Sequence, residues 1–278
     1  MNFIAAQMMR SRRFLHPGIK RFIVSTRGRM FDKFSFVYIE TIASCNRKCP
    51  YCPNSKSDRG SLENRKKMEV KLFHKIINEL SELGWIGELL LHFYGEPLLD
   101  ERLPDFVSYA KSRLPGSPIA IYTNGDFLTV DLYKKLVKSG VTDFLVTQHQ
   151  REELNTVKEL LEYRKNHGKD KVGLRCKKLN WISSRGGLIQ VKGVKARPKK
   201  VCVYPLNLYC LGVNYAGEVI FCCEDYFNEV KLGNIEKEKL INIWNSSYYK
   251  QLRNEVSRGV FKLDLCKKCS WGKNPFLR

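Results

Sequence analysis

Apolar positions along the middle of the chain recur with two alternating periods. Residues 36–42, Phe-Val-Tyr-Ile-Glu-Thr-Ile, have strand length and are rich in β-branched and aromatic side chains. From 69 to 83 the apolar residues Val70, Phe73, Ile76, Ile77, Leu80 and Leu83 follow a helical period, with Gly84 placed to cap the end. A largely apolar run at 86–93 reads as the next strand and ends at Tyr94-Gly95-Glu96-Pro97. The spacing then predicts a helix over 103–113, a strand over 119–122, and a helix N-capped by Thr129 and stopped by Gly140. A strand at 141–147, a helix at 152–166 and a strand at 171–175 complete the series. Strand–helix alternation from about 36 to 180 predicts a parallel sheet with helical crossovers. The unit count is too low for an eight-unit barrel and fits an incomplete one, open on one side.

The pattern changes after this point. Residues 183–200 are polar, basic and Gly-rich and read as a loop leading to a second module. Residues 206–213 and 218–221 flank Asn214-Tyr215-Ala216-Gly217 as a β-hairpin, and 240–244 and 248–256 read as helices. The domain reading is a basic N-terminal extension (1–30), a partial barrel (31–182), and a linker loop with a small α+β module (183–278).

Composition narrows the class. Lys and Arg number 49 against 28 Asp and Glu, a formal charge of +21. Such an excess suits nucleic acid or an anionic surface, or simply a solvated basic exterior; no aromatic–basic platform or zinc-finger histidine pair accompanies it. The first thirty residues mix Phe3, Ile4, Met8, Phe14, Phe22 and Ile23 with many cations, as a loosely packed extension or a membrane-surface contact would. No secretory leader is evident, and no apolar run approaches the ~20 residues of a membrane span. Ten cysteines in a chain this long point to metal ligation in a reducing cytoplasm more than to a disulfide scaffold.

Three of those cysteines, Cys45, Cys49 and Cys52, fall at the C-terminal end of the first predicted strand. Three thiolates from one loop form an incomplete set for a cubic iron–sulfur cluster, normally held by four, so one iron keeps an open position. Zinc is the rival and would want a fourth ligand nearby. Cys266-x-x-Cys269 is a second chelating half-site, with Cys202 and Cys222 as its candidate partners; zinc remains a reading there. Cys176, Cys210 and Cys223 are left over and read as buried thiols, although Cys223 abuts a proposed ligand.

Cys45-x-x-x-Cys49-x-x-Cys52 resembles the signature of the radical S-adenosylmethionine enzymes. Gly95-Glu96-Pro97 and Tyr122-Thr123-Asn124-Gly125 are similar to further motifs of that family. The series Cys202, Gly217-x-x-x-x-Cys222 and Cys266-x-x-Cys269 resembles its auxiliary-cluster module, called twitch and related to the SPASM domain, as does the run Leu232-Gly233-Asn234-Ile235. Longer phrases, among them His92 to Leu99, Val146-Thr147-Gln148-His149 and Ser184-Arg185-Gly186-Gly187, resemble the branch that oxidises amino-cyclitols.

The resemblance implies a partial (β/α)6-type barrel and two [4Fe–4S] clusters, one on Cys45, Cys49 and Cys52 and one on Cys202, Cys222, Cys266 and Cys269. It implies S-adenosylmethionine held by Tyr51, Gly95, Glu96, Pro97, Asn124, Thr147 and Gln148. It implies a substrate site of Tyr94, Tyr122, His149, Arg185, Cys223 and Glu224, with Arg185 catalytic through stabilisation of a developing alkoxide. The implied reaction converts a secondary alcohol of a cyclitol, amino-cyclitol or sugar-like molecule to a ketone. A 5′-deoxyadenosyl radical would take the hydrogen and the second cluster the remaining electron, with a flavodoxin- or ferredoxin-like donor supplying the first. The chain departs from that branch at Cys223, where an aromatic residue is expected. Two other readings stay open: a radical enzyme modifying a peptide or protein, and a non-enzymatic metal protein that binds nucleic acid.

Overall fold

The computed structural model describes residues 34–150, 152–168, 170–190, 202 and 209–273. The N-terminal extension, residues 191–200 of the linker and the first residues of the predicted hairpin lie outside them.

Five strands pair in parallel in chain order: β1 (Phe36–Ile39), β2 (Glu88–Leu90), β3 (Ile119–Thr123), β4 (Asp143–Gln148) and β5 (Gly173–Lys178). Four helices cross between them: α1 (Val70–Glu82), α2 (Leu103–Arg113), α3 (Val130–Ser139) and α4 (Asn155–Asn166). Local signals explain most of the boundaries. Leu72, Phe73, Ile76, Ile77 and Leu80 form the buried face of α1. The Thr129 hydroxyl accepts from Leu132 N at 3.2 Å, and Gly140 ends α3 with φ +118°, a conformation that favours glycine. β2 is shorter than the apolar run that encodes it, because beyond Leu91, whose N still donates to Ala120 O at 3.1 Å, the chain builds the loop carrying Tyr94, Gly95 and Glu96.

The second half of the chain does not stand apart. After β6 (Trp181–Ser183) come β7 (Cys210–Val213) and β8 (Val219–Ile220), an antiparallel hairpin around Gly217. β7 pairs in parallel with the free edge of β1, with Phe36 opposite Cys210 and Ile39 opposite Val213, giving the order β5-β4-β3-β2-β1-β7-β8. The sixth parallel strand is therefore supplied from the C-terminal region, and among the described residues no strand joins β5 to β8. α5 (Leu240–Asn245) and α6 (Ser247–Ser257) extend the same core: Trp244 meets Phe34 edge-on at 5.2 Å. The buried Glu79 of α1 accepts from Leu240 N at 2.7 Å, satisfying an orphan donor at the start of α5. Lastly α7 (Asp264–Lys268) leads to β9 (Trp271–Lys273), which pairs antiparallel with β6 and sets Ser183 opposite Trp271. The sequence pattern gave no sign of the β6–β9 pair, whose strands are only three residues long.

Candidate active site

Parallel sheets place their loops, and with them their chemistry, at the strands' C-terminal ends. A cavity of about 380 Å³ opens there. Cys45, Cys49 and Cys52 line it from the loop after β1, Tyr94, Gly95 and Glu96 from the loop after β2, and Lys177 from β5. Arg185, Cys222 and Cys223 close it from the C-terminal side.

The first cysteine loop is anchored on several sides. Cys45 N donates to Gly60 O at 3.1 Å, and Cys52 N to Cys49 O at 2.9 Å. Between them Arg47 makes a two-pronged ion pair with Asp126, whose Oδ2 also accepts from Asn46 at 2.6 Å. Asn124 donates to Asn46 Oδ1 at 2.9 Å, tying the β3 loop to the same network. Tyr51 Oη and His149 Nδ1 lie 2.9 Å apart with their rings stacked. Burial, with Arg47 nearby, lowers His149 to about 4, so its imidazole is neutral and braces Tyr51.

Gly95 lies where only glycine fits: a Cβ there would sit 2.0 Å from Ile42 O. That close approach lets Glu96 N donate to Ser44 O at 2.9 Å, fixing this loop against the first cysteine loop. The Glu96 carboxylate is buried and accepts from Thr123 Oγ1 at 2.6 Å, Asn124 N at 2.8 Å and Leu98 N at 3.1 Å. Burial raises its pKa to about 7 despite those donors.

A second buried network lies beneath. Glu40, at the end of β1, pairs with Arg59 and accepts from Tyr94 N at 3.2 Å and Tyr215 N at 3.4 Å. The Arg59 guanidinium lies 4.9, 5.4 and 5.0 Å from the rings of Tyr94, Tyr215 and Tyr226. Asn54 completes it, accepting from Tyr226 Oη at 2.7 Å and donating to Tyr94 O at 3.2 Å. Tyr215 and Tyr226 belong to the hairpin region and Asn54 and Arg59 to the cysteine loop, so this network fastens the two halves together.

Arg185 sits in a tight turn whose residues Arg185, Gly186 and Gly187 have φ of +48°, +63° and +97°. A non-glycine residue in that region signals a position held by its surroundings. Gly186 N donates to Glu224 Oε2 at 3.1 Å, Ser184 Oγ to Lys268 O at 3.0 Å, and Ser270 N to Ser184 Oγ at 2.9 Å. The turn is thus clamped between the segment bearing Cys222 and the segment bearing Cys266 and Cys269. Its guanidinium donates to Cys223 O at 3.4 Å and lies 3.9 Å from Glu224 Oε1, while its Nε is buried without a partner. Burial opposes its charge, but Glu224 and the thiols of Cys223 and Cys52 hold its pKa above the ordinary value.

The donor set suits iron–sulfur chemistry. Among the described residues, which include all ten cysteines, no disulfide forms. Nor do three His, Cys, Asp or Glu side chains gather round a point as a single-ion site requires; a cubane takes its thiolates on separate irons. Burial pushes the Cys45 thiol up to about 12, and Glu96, Cys52 and Cys49 add to it. Burial raises Cys49 as well. Cys222 is raised by its hydrogen bond to Cys223 and then by burial. Thiols this reluctant to ionise need a bound cation to become thiolates, which is what cluster iron supplies.

Of the residues expected from the sequence, Tyr51, Gly95, Glu96, Asn124 and Thr147 line the cavity with Tyr94, Tyr122, His149, Arg185 and Cys223. Pro97, Gln148 and Glu224 are buried and do not line it. Cys222 lines it too, whereas Cys202, Cys266 and Cys269 lie outside the lining. Sequence reasoning did not single out Glu40, Arg59, Asn54 and Tyr226, nor His92 and Lys177 on the cavity wall. A charged residue closing a buried strand was the available signal for Glu40; Arg59 offered none.

The radical SAM superfamily profile matches residues 39–186, and the profile of the SPASM iron–sulfur cluster-binding domain matches 202–270. The S-adenosyl-L-methionine-dependent 2-deoxy-scyllo-inosamine dehydrogenase of Niallia circulans is 33% identical over 238 residues, covering 85% of this chain and 93% of that protein. The crystal structure of BtrN in complex with AdoMet and 2-DOIA matches with a TM-score of 0.73 at 32% identity, over 85% of this chain and 92% of that one. BtrN in an open conformation scores 0.63 at 31% identity over the same shares, so the fold described here lies nearer the liganded form. The chain belongs to the radical SAM superfamily and carries a SPASM-type iron–sulfur module after the radical SAM region.

Proposed function

We propose that this chain is a radical S-adenosylmethionine dehydrogenase that oxidises a secondary alcohol of a cyclitol, amino-cyclitol or sugar-like substrate to a ketone. The observation that carries this reading is the position of Arg185. Its guanidinium faces the cavity that Cys45, Cys49 and Cys52 line, and its turn is gripped by both segments that bear the later cysteines. The similarity to an amino-cyclitol dehydrogenase supports it.

Cys45, Cys49 and Cys52 would hold one [4Fe–4S] cluster, and Cys202, Cys222, Cys266 and Cys269 a second with no open position. When bound, these groups and S-adenosylmethionine supply the radical that removes the carbinol hydrogen and the acceptor for the electron that remains. The protein's own residues manage position and charge. Arg185 cannot act as a base, because guanidinium keeps its proton; it stabilises negative charge on the oxygen as the hydroxyl proton leaves. His92 lines the cavity, and burial followed by the charges of Arg185 and Lys177 lowers it to about 4, so it presents a neutral imidazole able to accept a hydrogen bond from that hydroxyl. Glu96 and Asn124 brace the cofactor side, while Tyr94 and Tyr122 wall the substrate side.

Among the described residues no helix is long and apolar enough to cross a membrane. A flavodoxin- or ferredoxin-like donor in the cytoplasm supplies the first electron, in keeping with the +21 charge, which suits an acidic protein partner. The test is anaerobic reconstitution followed by assay against polyols, amino-cyclitols and peptides. One 5′-deoxyadenosine released per ketone formed on a polyol or amino-cyclitol is expected. Turnover on peptides alone would remove this reading.

A further inference from the structure

The carboxylates around the cavity are engaged, while one of its cations, the Lys177 ammonium, has no partner among the described residues. Glu96 accepts three hydrogen bonds. Asp126 is held by Arg47 and Asn46. Glu224 is buried behind Arg185 and accepts from Gly186 N. A substrate ammonium entering this cavity meets no open carboxylate among the described lining residues, and a buried cation without a partner is costly.

Lys177 presents the opposite picture. Lys177 lines the cavity from the edge strand β5, opposite Thr147, and is exposed at the rim. Among the described residues its ammonium has no ion pair or hydrogen bond; burial and the like charge of Arg175 bear on it and lower its pKa. Arg185 contributes a buried Nε with no acceptor. The buried Glu224 carboxylate, with Cys223 and Cys52 after it, accounts for the Arg185 charge.

We propose that Lys177 is a specificity-determining residue that binds an anionic group, phosphate or carboxylate, on the cyclitol or sugar oxidised beside Arg185. This rests on the dehydrogenase reading above and narrows its substrate class. The anion sits at the rim near β5, and the reacting carbinol lies deeper, beside Arg185 and the neutral His92. An ammonium on a flexible stem, with three donors and no preferred plane, serves either anion.

The test is calorimetric binding to the anaerobically reconstituted enzyme with S-adenosylmethionine present. The probes are myo-inositol 1-phosphate, glucuronate, myo-inositol and 2-deoxy-scyllo-inosamine. At least one anionic probe is expected to bind about tenfold tighter than myo-inositol, the scale of one charge-assisted hydrogen bond. Phosphate and carboxylate are told apart by which probe gains. Lys177→Gln should abolish the preference and Lys177→Arg should keep it. Equal or tighter binding of the neutral or amino probe, a preference that survives in Lys177→Gln, or binding of none of the four would overturn the assignment. Ketone formation from myo-inositol or the amino-cyclitol, without anionic preference, sinks the lysine assignment and leaves the dehydrogenase standing. Lys177-dependent anion binding with no ketone from any polyol sinks the dehydrogenase reading instead.

Discussion

Tyr94 and Arg185 share one acceptor: the carbonyl oxygen of Cys223 receives Tyr94 Oη at 3.3 Å and Arg185 Nη1 at 3.4 Å. One residue comes from the loop after β2 and the other from the turn after β6, so a single carbonyl fixes two cavity walls to the residue following Cys222. Tyr94→Phe keeps the ring over Arg59 and removes only the hydroxyl. The expected cost is about 1 kcal/mol of stability, the usual net worth of one hydrogen bond. Ketone yield per 5′-deoxyadenosine released should fall, because Arg185 loses a fixed neighbour. Unchanged yield in a single-turnover assay would show that Arg185 is held by Glu224 and its own turn alone.

Arg59 and Glu40 make a different prediction. Glu40 is fully buried and its side chain has no access to solvent. Removing the cation leaves that carboxylate uncompensated, which typically costs about 3–5 kcal/mol. Arg59→Ala should therefore lose stability on that scale in urea unfolding. The double variant Arg59→Ala with Glu40→Gln should lose less, because no buried charge is stranded. If Arg59→Ala stays within about 1 kcal/mol of the native chain, contacts that do not involve Arg59, such as Tyr226 Oη to Asn54, hold the cysteine loop to the hairpin.

Glu96 sets a pH dependence whose sign is fixed by its burial. Its pKa rises from 4.5 to about 7 on folding, so between those values the folded chain keeps a proton that the unfolded chain releases. Its contribution to stability is present at low pH, declines as pH rises from 4.5 to 7, and is flat above. His92 and His149, both lowered to about 4 mainly by burial, act oppositely between 4 and 6.5. Comparing Glu96→Gln with the native sequence in the same buffers isolates the carboxylate. The cofactor-free variant should gain stability relative to the native chain from pH 5 to 7 and hold that difference at pH 8. A constant difference across the range would mean that Glu96 is ionised throughout.

What could be read in advance divides by the range of the interaction. α2 and α3 were legible to within a residue because Pro104 in the first turn of one, and Thr129 and Gly140 around the other, act within one turn of the boundary. The cysteine loop and the Gly95-Glu96 strand end were legible because one short segment carries each. The pairing of β7 with β1 was not, since nothing in Cys210-Leu211-Gly212-Val213 specifies a partner so far upstream. For the same reason the contacts of Arg59 with Tyr215 and Tyr226 were hidden. The contact between Glu224, expected at the substrate site from its place beside Cys222 and Cys223, and Gly186 N in the turn after β6 was hidden for the same reason.

That turn also gives the sharpest test of the later cysteines. Ser184 and Gly186 bind the backbone or side chains of Lys268, Ser270 and Glu224, so the Arg185 turn depends on the segments carrying Cys222 and Cys269. Replacing Cys269 by Ala removes one thiol donor but leaves the backbone bonds of Lys268 and Ser270 to Ser184 available. Cys269→Ala should therefore bind S-adenosylmethionine and release 5′-deoxyadenosine at a rate within a few-fold of the native enzyme. Ketone formation should drop at least about tenfold, because a ketyl-like substrate that cannot pass on its electron has no route forward. Iron content should fall toward that of a single cluster. Parallel loss of cleavage and ketone formation, with folding intact by circular dichroism, would assign the four later cysteines a structural role alone.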